Sequence, residues 1–189
     1  LPGTDVPANS LAGLALKPLM AGRLKFYPDR YGKTYQTWLE NLRDWPISRQ
    51  LWWGHQIPVW SKVGRHNNRC EYGTFSTIVE TEQGPVTYAC VKAGFNELEK
   101  AMDKEGWVRD GDVLDTWFSS ALWPFSTLGW PEESPTLKTF YPGNVLCTAR
   151  EIITLWVSRM VMMGQYCAGD IPFRDVYIHA MIQDGEGRK

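Results

Sequence analysis

Apolar residues recur along the chain at two spacings, one typical of helices and the other typical of strands. Apolar positions three or four residues apart predict helices in residues 10–20, 34–44, 95–105, 115–122 and 150–166. Short apolar runs bounded by turn-forming residues predict strands in residues 23–27, 75–82, 85–92, 144–148 and 175–182. Thr34 is the predicted N-cap of the second helix. The mixture of the two patterns indicates an α/β protein.

The strand–helix–strand order of residues 144–182 predicts a parallel β-α-β unit with a right-handed crossover. Ligands of parallel sheets bind beyond the carboxyl ends of the strands. We therefore expect residues 148–151 and 179–184 to lie at one edge of the sheet. The Gly-rich, basic segment 184–189 follows, and it is a candidate loop for holding phosphates.

Residues 63–106 are more polar than the segments on either side of them. They contain a predicted hairpin that turns at Gln83-Gly84, and a charged helix that ends before Gly106. This composition predicts a small α+β lobe inserted into the α/β core.

Composition restricts the classes of function. The formal net charge is −1, so no overall basic field attracts nucleic acid. No apolar run approaches the roughly 18 residues of a membrane span and no signal peptide is evident, which predicts a cytoplasmic protein without membrane contact. The four Cys form no Cys-x-x-Cys pair and the three His have no metal-ligand spacing. No protein-bound metal is therefore expected.

Ten Trp are present, and several of them lie among polar residues in the stretch 43–58. Aromatic and basic side chains in one non-periodic stretch suit the stacking of RNA bases or of a nucleotide. The candidate contacts in this stretch are Arg49, Gln50, Trp52, Trp53 and His55. A buried connector in which Arg49 pairs with an acidic residue explains the same stretch equally well.

Two further segments carry candidate chemistry. Thr148-Ala-Arg-Glu151 opens the longest predicted helix, and a helix N-terminus favours anions and ribose hydroxyls. Stabilisation of the helix dipole explains Glu151 equally well. Asp115 and Thr116 are predicted to cap the next short helix, on which Trp117 faces either a core or a pocket.

Residues 43–58, 112–124, 156–164 and 179–189 carry these motifs in a fixed order. Together they resemble the valyl-tRNA synthetase family of class I aminoacyl-tRNA synthetases. The resemblance covers residues 23–189 and is weakest in 63–106. The sequences Leu51-Trp-Trp-Gly-His55 and Leu114-Asp-Thr-Trp-Phe-Ser-Ser-Ala-Leu-Trp-Pro124 distinguish the chain from the isoleucyl and leucyl relatives.

The resemblance implies the second half of a Rossmann-like core, formed by residues 35–62 and 107–189. Residues 63–106 would be a small connective lobe, and residues 1–34 would return the chain from an editing domain. The implied reaction is ATP-dependent ligation of valine to tRNA(Val) through a valyl-adenylate, with Mg²⁺ carried on ATP. The whole enzyme is expected to be a monomer.

By the same resemblance, Trp117 and Trp156 would be two walls of the pocket for the amino-acid side chain. The residues that would bind ATP and the adenylate are Thr148, Ala149, Glu151, His179, Ala180, Met181 and Ile182. Lys189 would be the catalytic first Lys of a mobile Lys-Met-Ser-Lys-Ser loop, where it stabilises pyrophosphate in the transition state. The residues that would meet the tRNA 3′ end are Arg49, Gln50, Trp52, Trp53 and His55.

The chain departs from the family pattern at one place. The family has Gly, any residue, Asp where this chain has Ala149-Arg150-Glu151. Glu151 reaches a ribose hydroxyl with a longer side chain, and the methyl group of Ala149 limits close approach of the backbone.

The family's His-Ile-Gly-His motif and most of its Lys-Met-Ser-Lys-Ser loop lie outside these residues, so we expect a fragment that is inactive alone. Missing sheet neighbours would expose an edge and an apolar face, which predicts self-association. One alternative is a non-catalytic module that binds the tRNA acceptor end, although the near-neutral charge counts against it. The other is an isoleucyl-tRNA synthetase fragment, against which His55 and residues 119–122 count.

Overall fold

The computed structural model describes residues 1–66 and 74–188. Within these ranges the strands are β1 (Lys25–Tyr27), β2 (Ser48–Arg49), β3 (Val59–Val63), β4 (Thr74–Thr81), β5 (Gly84–Val91), β6 (Val108–Arg109), β7 (Val113–Leu114), β8 (Gly143–Ala149) and β9 (Phe173–His179). The α-helices are α1 (Leu11–Met20), α2 (Arg30–Glu40), α3 (Asn96–Lys104), α4 (Thr116–Ala121), α5 (Trp123–Ser126), α6 (Pro135–Phe140) and α7 (Ser158–Met163).

Helix α7 is the middle of a longer helical segment. A 3₁₀ turn (Arg150–Ile152) and a π-helical segment (Ile153–Val157) precede it, and a second π-helical segment (Gly164–Ala168) follows it. We call residues 150–168 the long helix. The sequence predicted a helix here, and the structure adds the two wider π-helical segments.

The chain forms two compact units. The first unit joins Leu1–Pro46 to the segment that starts at Thr116, and the second unit lies within Ile47–Asp115. The second unit is wider than the lobe predicted at 63–106. Residues 47–62 and 107–115, which were assigned to the core, belong to this second unit.

The first unit contains a three-stranded parallel sheet in the order β1-β9-β8. Strands β8 and β9 pair in parallel from Gly143↔Phe173 to Ala149↔His179, which confirms the parallel β-α-β pairing predicted for 144–182. Helices α1 and α2 and the long helix enclose one core with this sheet. Its buried side chains include Leu16, Leu24, Phe26, Tyr35, Leu39, Ile153, Val157, Met160, Val161, Val176 and Ile178.

Sequence signals for a helix start agree with the structure at α1 but not at α2. The Ser10 hydroxyl accepts a hydrogen bond from the Gly13 amide at 3.0 Å, so Ser10 caps α1 as a helix start requires. Helix α2 begins at Arg30, so the prediction that Thr34 caps it is wrong. The turn is already set before Thr34, because the Gly32 amide donates to the Asp29 carbonyl at 2.8 Å.

The second unit contains a four-stranded antiparallel sheet in the order β4-β5-β3-β6. The predicted hairpin is confirmed, since β4 pairs with β5 from Thr74↔Val91 to Thr81↔Gly84. One sheet face packs on α3 through a small core of Trp60, Ala89, Val91 and Met102. The described strand residues that point to the opposite face, among them Phe75, Val79, Val63 and Val108, include no charged side chain.

Two short strands join the ends of the second unit. Strands β2 and β7 pair antiparallel through Ser48↔Leu114 and Arg49↔Val113, and we call this pair the ribbon. The Asp115 amide extends it by donating to the Ile47 carbonyl at 2.7 Å. None of the helices in residues 1–66 and 74–188 is both long enough and apolar enough to cross a membrane.

Candidate functional site

The carboxyl ends of β8 and β9 lie side by side, as predicted. Ala149 is the register partner of His179, so the chain leaves both strands at the same edge of the sheet. Thr148 is buried next to Ala149, whereas His179 is exposed and its ring nitrogen Nδ1 lies 2.9 Å from the Ala180 carbonyl oxygen. The structure therefore brings together Thr148, Ala149 and His179, three of the predicted nucleotide-binding residues.

The first turn of the long helix starts directly from this edge. The Ile153 amide donates to the Arg150 carbonyl, which closes a 3₁₀ turn over Arg150–Ile152. The Glu151 carboxylate faces the Arg150 guanidinium, with Nε and Oε1 3.6 Å apart. This arrangement places an acidic and a basic group together at the sheet edge, where a polar ligand with both donors and acceptors can bind.

Beyond His179 the chain differs from the prediction. Strand β9 ends at His179, so Ala180, Met181 and Ile182 lie outside the strand that was predicted to run through 182. The following loop is organised by Asp184, whose Oδ1 accepts from the amides of Glu186 and Arg188 at 2.9 and 2.8 Å. These two amides therefore already bind a carboxylate. The candidate catalytic Lys189 lies outside the described residues.

Trp156 lines an open cavity in the first unit. It belongs to the π-helical segment (Ile153–Val157), and its indole Nε1 donates to the Ser120 carbonyl at 3.0 Å. The Trp123 ring lies against it, with centroids 6.2 Å apart and planes inclined by 53°. The cavity measures about 430 Å³ and is lined by Thr116, Ser119, Ser120, Trp123, Ser126 and Trp156.

The cavity combines two kinds of surface. The indoles of Trp123 and Trp156 supply apolar walls, and the Ser and Thr hydroxyls supply donors and acceptors. The Ser120 hydroxyl oxygen is buried and has no hydrogen-bond partner within 1–66 and 74–188. A small molecule with one apolar end and one polar end, such as an amino acid, matches this arrangement.

Trp117 lies on α4, which packs against the long helix that carries Trp156. Trp117 is half-buried and is not part of the cavity lining described above. Its neighbour Phe118 contacts Trp45, with ring centroids 6.3 Å apart, and the Arg159 guanidinium covers Trp45 at 3.9 Å. Trp117 and Trp156, the two predicted pocket residues, therefore lie on helices that pack against each other.

Sequence reasoning missed Ser120 and Trp123 as members of this cavity. The sequence did contain a signal for them, because both residues lie in the motif 114–124, in which Trp117 was predicted as a pocket residue. Their connection to Trp156 depends on the packing of α4 and α5 on the long helix.

The second unit presents the other predicted site, the aromatic loop at residues 51–55. Arg49 pairs with Asp115, with Nη2 and Oδ2 2.9 Å apart, which confirms the interpretation that Arg49 meets an acidic residue. The loop itself is not buried, because Trp52 and Trp53 are 98% and 86% exposed. Gln50 and His55 are exposed beside them. The stretch is therefore an ion-paired ribbon that carries a solvent-facing aromatic loop.

Cys90 and Cys167 are partly buried free thiols. Burial raises the pKa of the Cys90 and Cys167 thiols, which keeps them protonated and weakly nucleophilic. Among the residues that the structure describes, no three His, Cys, Asp or Glu side chains are grouped to hold a metal ion.

The fold and the sites define a class of protein. A family model described as tRNA synthetases class I (I, L, M and V) matches residues 6–189, and the chain belongs to this family. It is 49% identical over 97% of its length to a valine–tRNA ligase of Bdellovibrio bacteriovorus. It is 48% identical, over the same share, to those of Clostridium acetobutylicum and Thermosynechococcus vestitus. The chain spans 18–19% of the length of these three relatives.

Solved structures agree on the α/β fold that the sequence predicted. A methionyl-tRNA synthetase of Mycobacterium tuberculosis bound by methionyl-adenylate matches 94% of this chain and 26% of its own, with a TM-score of 0.59 and 14% identity. A LeuRS of Agrobacterium radiobacter K84, in a ternary complex with tRNA and LeuAMS, matches 78% of this chain and 21% of its own. Its TM-score is 0.50 at 21% identity.

Proposed function

We propose that this chain is part of the catalytic core of a valine–tRNA ligase. The observation that carries the proposal is the Trp156 cavity, found in a chain that is 49% identical to a valine–tRNA ligase. In the proposed reaction the valine carboxylate attacks the α-phosphate of ATP and pyrophosphate leaves. The valyl group then passes from the adenylate to the 3′ end of tRNA(Val).

Trp156 is one proposed wall for the valine side chain, and Trp117 is the other, because it lies on helix α4 packed beside Trp156 although it is outside the cavity lining. Rigid indoles exclude water and hold the side chain by apolar contact, so an extra methylene group must displace a wall or stay outside. One methylene is worth only about 1–3 kcal/mol of discrimination, and threonine has nearly the shape of valine. We therefore expect clear selection against isoleucine and weak selection against threonine.

The sheet edge at Ala149 and His179 is the proposed site of ATP and the adenylate. The register of β8 and β9 supports it, because it brings the predicted residues to one edge. Glu151 would accept from the ribose, while the main chain at Ala180, Met181 and Ile182 would meet adenine. Mg²⁺ would arrive bound to ATP, and Lys189 would neutralise the departing pyrophosphate.

The test is amino-acid-dependent exchange between ATP and pyrophosphate, measured on the full-length protein that contains these residues. We expect kcat/KM for valine to exceed that for isoleucine by about 10- to 200-fold. Trp117→Ala and Trp156→Ala should reduce this ratio. Trp38→Ala, which removes a partly exposed indole from α2, is the matched control and should leave the ratio unchanged.

The outcomes separate the candidate enzymes. Preference for isoleucine would assign the chain to an isoleucyl enzyme, and absence of exchange with any amino acid would overturn the proposal. An unchanged valine-to-isoleucine ratio in both Trp variants would remove the pocket assignment while leaving the enzyme assignment in place.

A second candidate function, binding of a tRNA 3′ end, is favoured by the aromatic loop. Trp52 and Trp53 are almost fully exposed, as stacking on unpaired bases requires. Of the five candidate contacts, Arg49 is the weakest because it is paired with Asp115. In the full-length protein, Trp52→Ala should weaken tRNA binding by about 1–3 kcal/mol. Equal affinity of Trp52→Ala and wild type, at several salt concentrations, would exclude a stacking role.

A further inference from the structure

The Trp156 indole is held from two directions by one short segment. The Ser120 carbonyl fixes the edge of the ring by accepting from Nε1 at 3.0 Å. The ring of Trp123 fixes its position by an inclined aromatic contact at 6.2 Å. Ser120 and Trp123 flank the junction between α4 and α5, so a single turn of chain supplies both contacts.

The helix backbone around Trp156 does not by itself determine the direction of the indole. Trp156 belongs to a π-helical segment, where the hydrogen-bonding pattern is wider than in an α-helix and side-chain directions are shifted. Contacts from outside the helix must therefore set the direction of the ring. Part of Trp156 packs against the buried core of the first unit, and Ser120 and Trp123 supply the polar and aromatic contacts of its indole.

Trp123 is an exposed residue. It leaves 54% of its surface accessible while its ring contacts Trp156 and lines the cavity. A large indole in this position adds little to the buried core, and its contact with Trp156 explains its place at the cavity rim.

We propose that Trp123 is a positioning residue that sets the amino-acid selectivity of the cavity by holding the Trp156 indole in place. This inference rests on the proposed function, in which Trp156 is a wall of the valine pocket. Without Trp123 the Trp156 ring keeps its contacts with the core and its hydrogen bond to Ser120, and it tilts into the space that the Trp123 ring leaves. The pocket then widens and admits a longer side chain.

The experiment compares Trp123→Ala, Trp123→Phe and Trp130→Ala in the full-length protein, using ATP–pyrophosphate exchange with valine and with isoleucine. Trp130→Ala is the matched control, because it removes another indole of the same segment, one that packs edge-on against Phe125 at 5.2 Å. Thermal melts of each variant record the loss of stability separately.

For Trp123→Ala we expect the ratio of kcat/KM for valine over isoleucine to fall about tenfold, within the range that one methylene provides. The change should appear as a higher KM for valine and a lower KM for isoleucine. Trp123→Phe retains a ring on Trp156 and should restore the ratio to within about twofold of wild type. Trp130→Ala should keep the wild-type ratio even where its melting temperature falls.

The possible failures are distinguishable. Absence of valine-dependent exchange in the wild type would overturn the proposed function itself. A normal wild-type ratio that is reduced by Trp156→Ala and unchanged by Trp123→Ala would overturn only the positioning role. If Trp123→Ala does not fold, Trp123→Leu takes its place, and a wild-type ratio in that variant would equally overturn the inference.

Discussion

Tyr35 is a fully buried residue of α2 whose hydroxyl donates to the Ala15 carbonyl of α1 at 2.9 Å. Its ring packs on Phe26 of β1, with centroids 5.1 Å apart. Burial raises the pKa of Tyr35 far above its ordinary value of 10. The folded protein therefore keeps this phenol protonated at pH values at which the unfolded chain would release the proton.

The raised pKa predicts a loss of stability in alkali. The contribution of Tyr35 is complete below about pH 10, the pKa of the unfolded state, and declines as the pH rises above it. Tyr35→Phe removes this dependence, so the variant should lose less free energy of unfolding between about pH 8 and pH 11 than wild type. At neutral pH it should be less stable by about 1 kcal/mol, since one buried hydrogen bond is lost. Urea unfolding at each pH measures both effects, and parallel pH curves would contradict the assignment.

At the residue scale, sequence alone predicted some local roles and missed others. The helix that follows Ser10 was predicted, whereas the predicted cap Thr34 lies inside α2. The partner of Trp156 is not recognisable, because a backbone carbonyl can accept from any donor that tertiary packing brings to it. The Asp184 turn shows the same limit, since the sequence did not indicate that the Glu186 and Arg188 amides bind the Asp184 carboxylate.

At the scale of elements, Gly164 shows how closely the long helix approaches its neighbours. A Cβ atom at this position would lie 2.7 Å from the Tyr141 hydroxyl oxygen and 3.1 Å from the Asp170 carbonyl oxygen. These two groups are hydrogen-bonded to each other at 2.7 Å. The start of the second π-helical segment therefore requires a residue without a side chain.

We predict that Gly164→Ala destabilises the protein by about 1–3 kcal/mol, the usual cost of overpacking. Gly32→Ala is the control, because Gly32 also lies in a helix, and a Cβ there would make an ordinary contact of 3.5 Å with Leu19. Gly32→Ala should stabilise the protein by about 0.5–1 kcal/mol through helix propensity. Chemical denaturation of both variants checks the prediction, and equal shifts in the same direction would contradict it.

Arg49 and Asp115 form an ion pair beside the backbone hydrogen bonds of the ribbon. The Asp115 side chain is only 9% exposed, whereas that of Arg49 is 38% exposed, so solvent screens part of the interaction. Arg49→Met should cost about 1–2 kcal/mol, less than the loss of one partner from a fully buried pair. In the double variant with Asp115→Asn the two costs should not add, and simple additivity in this double-mutant cycle would show that the pair is not coupled.

Long elements were predictable from the sequence, and short or irregular ones were not. The hairpin of β4 and β5 combines runs of β-branched and aromatic residues with a Gly near the turn, so its position was predicted to within about one residue. Strands β2, β6 and β7 have two residues each, which is too short for any alternation. The π-helical segments were missed because apolar spacing in a short π-helical segment resembles that of an α-helix.

At the scale of the whole molecule, the uncharged sheet face of the second unit supports the predicted self-association. Phe75 and Val63 on this face are 76% and 78% exposed. Strand β4 is also an edge strand, and exposed edges pair readily with other chains. We expect sedimentation of this chain to become concentration-dependent. Phe75→Lys should reduce the effect, whereas Phe140→Lys, at an exposed site of α6, should not. A single monomeric species for wild type at all concentrations would contradict the prediction.

Other statements about the whole protein stay predictions. They are the assignment of residues 1–34 to a connection from an editing domain, the connective role of the lobe at 63–106, the cytoplasmic location and the monomeric state of the whole enzyme. They concern the role of these residues in a whole protein, and this chain spans 18–19% of the length of its relatives.

The ribbon also has a consequence for the order in which the chain folds. The two segments of the first unit are separated by about 70 residues, and closing so long a loop in an unfolded chain costs about 4 kcal/mol of conformational entropy. Once the second unit is folded, Ile47 and Asp115 are joined by a 2.7 Å hydrogen bond. The two segments of the first unit are then linked through this hydrogen bond, so the effective loop between them is only a few residues long. The insertion thus acts as a non-covalent cross-link, and folding that begins there lowers the entropic barrier for the rest of the chain.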